Sequence, residues 1–179
     1  IEQLEPRVYL PALDDPISHD DLKDENGITI HITLQPPKLC MENQIKWPPK
    51  TILIAGSSML QGLNGSKMSK KFNVKVRPHS GATTRDMYDH LNALLRKEPK
   101  YLILHVGTND ASDKDTTANT IFERLIRLKM YAEYRVPGMK VSISCPTLRK
   151  DNDFANSKLK EVTKKLKSSG ISIIKHDNI

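Results

Sequence analysis

The sequence has 179 residues, 37% of them hydrophobic and 27% charged, which suits one folded domain with a proper core and excludes a disordered chain. A formal charge of +7 and a pI of about 9.4 permit contact with nucleic acid or another polyanion without establishing it. No apolar run approaches the roughly 20 residues that span a bilayer, and the opening "IEQLEPRVYL" lacks the basic and apolar regions of a signal peptide.

The sequence begins at Ile1 rather than Met and is read as a piece of a longer protein. Cys40 and Cys145 lie far apart and match neither a metal spacing nor a disulfide framework. The expected setting is therefore reducing and intracellular, cytoplasmic or nuclear. No cofactor and no metal are expected.

Residues 1–49 hold Pro6, Pro11, Pro16, Pro36, Pro37, Pro48 and Pro49, and an acidic cluster, "DDPISHDDLKDE". Proline withholds the backbone donor that helices and ladders need, so this stretch reads as an extended arm or linker. One alternating run, "GITIHITL" (Gly27–Leu34), is expected to form a strand.

From residue 50 to 179 the pattern is that of one regular domain. "TILIAG" (Thr51–Gly56) is a continuous apolar strand, "NVKVR" (Asn73–Arg77) a short alternating one, and "YLILHVG" (Tyr101–Gly107) another buried one. "MKVSISC" (Met139–Cys145) and "ISIIK" (Ile171–Lys175) complete the set. Helices are predicted over Thr84–Glu98, Thr116–Tyr134 and Asp153–Gly170, each with apolar residues recurring on one face. Alternating strand and helix predict an α/β fold: a three-layer α/β/α sandwich around a parallel five-stranded sheet.

In such a sheet, ligands bind outside the C-terminal strand ends. Three of these ends carry chemistry: Gly56-Ser57-Ser58, Ser80-Gly81-Ala82-Thr83 and Gly107-Thr108-Asn109-Asp110. Ser58 follows a strand and a glycine, a place for a nucleophile, and precedes "MLQGL", which is expected to start a helix whose positive end would aim the Ser58 N–H into the site. Gly81 lets a backbone N–H approach a substrate, and Asn109 offers a neutral carboxamide donor for an oxyanion. Plainer readings stand beside these. Ser58 alone suits a helix N-cap, and Asn109-Asp110 alone suit a turn.

Gly56-Ser57-Ser58, Gly81 and "HVGTND" (His105–Asp110) together resemble the first three blocks of the SGNH, or GDSL, hydrolase superfamily. The resemblance covers roughly residues 50–179 and extends in style to SGNH-like domains in polyproteins of animal non-LTR retrotransposons. It implies a flavodoxin-like α/β/α fold, a metal-free esterase or acyl hydrolase, and a small ester or acylated substrate. By position it implies Ser58 as nucleophile, with the Ser58 N–H, the Gly81 N–H and the Asn109 side chain as oxyanion hole. Two departures stand out. Ser57 occupies the place of the family's aspartate, and no Asp-x-x-His follows residue 110. The sequence is expected to stop short of that block, which supplies the family's acid and base. The alternative is that the block is absent and the domain is a non-catalytic module.

Among the histidines, His176 at the end of the last strand and His79 before Gly81 are the candidates for a substitute base. His105, inside the third strand, is expected to be a hydrogen-bonded structural residue, and His19, His31 and His90 surface or loop residues. Two basic clusters, Lys67, Lys70, Lys71, Lys75 and Arg77, and Lys158, Lys160, Lys164, Lys165 and Lys167, are read as solvated faces or as phosphate-contacting patches for nucleic acid. Few aromatics accompany them, so base stacking is not supported. "GSSMLQGLNGSK" lacks the Gly-Lys-Ser/Thr ending of a P-loop.

Overall fold

A computed structural model describes residues 46–176. The expected strand at Gly27–Leu34, with Cys40, His19 and His31, lies outside the described residues. Five parallel strands form one sheet: β1 (Thr51–Gly56), β2 (Asn73–Pro78), β3 (Tyr101–His105), β4 (Lys140–Ser144) and β5 (Ile173–Ile174), in the order β2-β1-β3-β4-β5. The helices are α1 (Gly65–Met68), α2 (Asp86–Leu95), α3 (Thr108–Ser112), α4 (Ala118–Arg135) and α5 (Asp153–Ser168). The α/β architecture and parallel sheet are as the sequence pattern predicts.

Strand alternation divides the core. Leu53 and Ala55, Leu102 and Leu104, and Val141 and Ile143 join a large buried cluster with Met87 and Leu91 of α2, Ile121, Leu125 and Leu128 of α4, and Leu159, Val162 and Leu166 of α5. The intervening Ile54 and Val74 join a smaller cluster with Leu60, edged by Ile52, Phe72, Val76 and Ile103. Right-handed crossovers explain the inequality. Only the β1-to-β2 connection runs toward the β2 edge, so only its 3-10 turn (Ser58–Leu60) and the short α1 belong to the second face. The other three crossovers run the opposite way and stack their long helices on the first.

Local signals set most boundaries. The Thr117 side chain accepts from the Thr120 N–H at 3.1 Å and starts α4, and Asn152 accepts from Ala155 at 2.9 Å and starts α5. The third strand stops at His105 rather than Gly107, because Gly107 turns with φ 115° directly into α3. The last strand keeps only Ile173–Ile174 of the five expected residues. α1 and α3 are unanticipated, being too short to show an apolar period. Trp47, from the proline-rich stretch, packs against the large cluster and donates its backbone N–H to the Lys97 carbonyl at 3.0 Å. Among the described residues no helix is long and apolar enough to cross a membrane.

Candidate active site

The strand order reverses at β1, which has β2 on one side and β3 on the other. The crevice at this switch point is where doubly wound sheets bind ligands. Hydrogen bonds join the three loops there in a closed ring. His79 N–H donates to the Gly56 carbonyl at 2.8 Å, tying the β2 loop to β1. Ser57 N–H donates to the His105 carbonyl at 3.0 Å, tying β1 to β3. Asn109 Nδ2 donates to the Ala82 carbonyl at 2.9 Å, tying β3 back to the β2 loop.

Two glycines make this possible. A Cβ on Gly56 would stand 1.9 Å from the His105 carbonyl oxygen, so only glycine lets the strands meet in this register. Gly81 has φ +72°, a left-handed conformation, and open space where a Cβ would be.

The donors an oxyanion needs are uncommitted. Among the described residues, no loop or turn carbonyl accepts the N–H of Ser58 or of Gly81. Asn109 spends one N–H of its carboxamide on Ala82, which fixes the plane of the group and leaves the second N–H available. Ser58 itself is half-buried and opens the 3-10 turn Ser58–Leu60, with Ser57 in the N-cap position. The N-cap reading of Ser58 is thus not what the backbone shows, and Ser57 makes no side-chain cap bond. The Ser57 hydroxyl is buried with no hydrogen-bond partner among the described residues.

Asp110 is not a turn residue. It lies in α3 at 3% exposure, and its carboxylate accepts from the Thr84 N–H at 2.9 and 3.1 Å and from the Thr84 hydroxyl. Arg124 of α4 places Nη1 3.9 Å from it. This carboxylate fastens the loop after Gly81 to the helix carrying Asn109. Its fastening role was invisible in sequence, since Thr84 and Arg124 are distant along the chain.

The histidines divide into two pairs. His105 and Ser144, by strand alternation, share the second face of the sheet. His105 Nδ1 lies 2.9 Å from Ser144 Oγ, and Ser144 Oγ lies 2.7 Å from His176 Nε2. The rings of His105 and His176 meet edge-on at 5.7 Å. Burial, then the neighbouring His176, push His105 down to about 4, so it is neutral near pH 7. His105 is thus buried and hydrogen-bonded, as the sequence reading expects. His79 stacks on His90 of α2, with ring centroids 3.9 Å apart, and its buried Nε2 has no partner among the described residues. Burial, His90 and Arg77, in that order, lower its pKa. No described histidine hydrogen-bonds to the Ser58 hydroxyl. The structure thus brings Ser58, Gly81 and Asn109 to neighbouring strand ends but gives His176 to Ser144. No group of described residues has the makings of a metal site.

No family model and no curated protein matches the sequence. Solved structures do match in fold. A G-D-S-L family protein from Desulfitobacterium hafniense is 17% identical, with TM-score 0.58 over 70% of this chain and 77% of its own. A GDSL-like lipase from Bacteroides thetaiotaomicron is 16% identical, with TM-score 0.54 over 70% and 68%. An acetyl xylan esterase is 17% identical, with TM-score 0.54 over 70% and 76%. The chain has the α/β fold of these GDSL-type proteins.

Proposed function

We propose that this domain is an SGNH-type serine hydrolase acting on ester or acyl groups. The observation that carries the reading is the ring of hydrogen bonds that sets the Ser58 and Gly81 N–H groups, without a carbonyl partner among the described residues, and the carboxamide of Asn109 on adjoining strand ends. In the reaction, Ser58 Oγ attacks the acyl carbon while its proton passes to a general base. The three donors stabilise the oxyanion as it forms. The C–O bond to the alcohol then breaks, and the leaving oxygen takes the proton back. Water resolves the acyl-enzyme by the same steps. The family resemblance assigns the base to a histidine of an Asp-x-x-His block. An alkyl phosphonate that traps serine nucleophiles tests the site: mass spectrometry should find the adduct on the peptide containing Ser58. Labelling of other serines alone would contradict the assignment.

A second reading is favoured by one observation, the lack of a histidine on Ser58 among the described residues. In it the domain is a non-catalytic module of a mobile-element polyprotein that binds nucleic acid or protein through its basic surface. Steeply salt-dependent binding of a nucleic-acid strand, with no phosphonate adduct, is its signature.

A further inference from the structure

We propose that the cleft between the end of β4, the outer face of α5 and Lys175 and His176 after β5 binds a ligand carrying linked phosphates, such as a di- or triphosphate group. The cleft has a volume of about 740 Å³ and is lined by Arg149, Lys150, Lys160, Lys164, Lys167 and Lys175, with no carboxylate among its lining residues. That size suits a small ligand. Neither Ser58, Gly81 nor Asn109 lines it.

The charges there are largely unanswered. Asp151 clasps Arg149 at 2.9 and 3.0 Å, but the five lysines have no ion pair among the described residues. Lys160, Lys164 and Lys167 follow one another at helical spacing on one face of α5, where like charges repel. A helix face that merely meets solvent accounts for those three. It does not account for Lys150 and Lys175, which converge on the same cleft from other elements. Thr147 lines the cleft as well, and its buried hydroxyl, which has no hydrogen-bond partner among the described residues, would turn outward to meet a ligand oxygen.

The ligand chemistry follows. Ammonium groups are compact charges with several donors, suited to a cluster of phosphate oxygens rather than to one planar carboxylate. No aromatic residue other than His176 lines the cleft, so it offers little platform for stacked bases. Phosphates, not bases, are what it can hold.

Sodium tripolyphosphate is the probe, titrated calorimetrically into the full chain. Saturable binding to one site is expected, weakened about tenfold or more by the triple change Lys160→Gln, Lys164→Gln and Lys167→Gln. The matched change Lys67→Gln, Lys70→Gln and Lys71→Gln, in the other basic cluster, should leave it unaltered. All six side chains belong to exposed residues, and circular dichroism checks that both variants stay folded. Thr147→Val, which removes the hydroxyl without touching a charge, should also weaken binding. Ser58→Ala should not, which separates this site from hydrolysis. Undetectable binding, or equal loss in both triple variants, would overturn the proposal. So would an oligonucleotide that binds and is not displaced by tripolyphosphate.

Discussion

Asn109 and Ala82 are joined by a 2.9 Å hydrogen bond from the carboxamide of one to the carbonyl of the other, 27 residues apart in sequence. This contact holds the side chain of α3 beside the loop that contains Gly81. It makes Asn109 a fastener, and under the proposed function its second N–H is also an oxyanion donor. Asn109→Ala should therefore lower kcat about 100- to 1000-fold while costing only about 1 kcal/mol of stability. Ester-hydrolysis kinetics and urea unfolding measure the two effects. Loss of stability with unchanged kcat would reduce Asn109 to a fastener.

Gly56 is predicted to tolerate no side chain. Its Cβ would meet the backbone of His105, which cannot move aside as a flexible side chain would. Gly56→Ala should cost about 3 kcal/mol or more, read from the urea midpoint. A loss near zero would mean that the β1–β3 contact is looser than described.

Asp110 combines burial with three hydrogen bonds from Thr84 and the nearby charge of Arg124. Removing the carboxylate leaves those donors buried. Asp110→Ala should destabilise by about 3–5 kcal/mol, and thermal unfolding should show it. A change within about 0.5 kcal/mol, the range of ordinary surface substitutions, would contradict the description.

His105 predicts an acid-sensitive fold. Its folded pKa of about 4 lies below the ordinary 6.5, so the unfolded chain binds the proton more tightly. Its contribution is fully present above about pH 6.5 and is lost as pH falls toward about 4, on the order of 3 kcal/mol in all. His105→Asn should remove this part of the slope when stability is measured by urea unfolding across that window. An unchanged slope would show that another group titrates there.

Much of the fold was legible because its signals are local. Runs such as "TILIAG" and "YLILHVG" are apolar throughout, as strands covered on both faces must be, and the long helices repeat leucines along one face. The three loaded strand ends were legible for the same reason: glycine, serine and asparagine sit directly after strands. What stayed hidden depends on contacts between distant residues. Nothing local to Asp110 announces Thr84 or Arg124, and nothing near His176 announces Ser144. α3 was hidden differently, since five residues are too few for a helical period. Lys150 and Lys175 could not be seen to join the lysines of α5, because a stripe on one helix looks the same whether or not another element faces it.

Hydrolysis of a short p-nitrophenyl ester by the chain and by Ser58→Ala tests most directly whether Ser58 is a nucleophile. A nucleophilic Ser58 gives measurable turnover in the first and a loss of about 1000-fold or more in the second, with thermal stability unchanged. Equal turnover by both would contradict it.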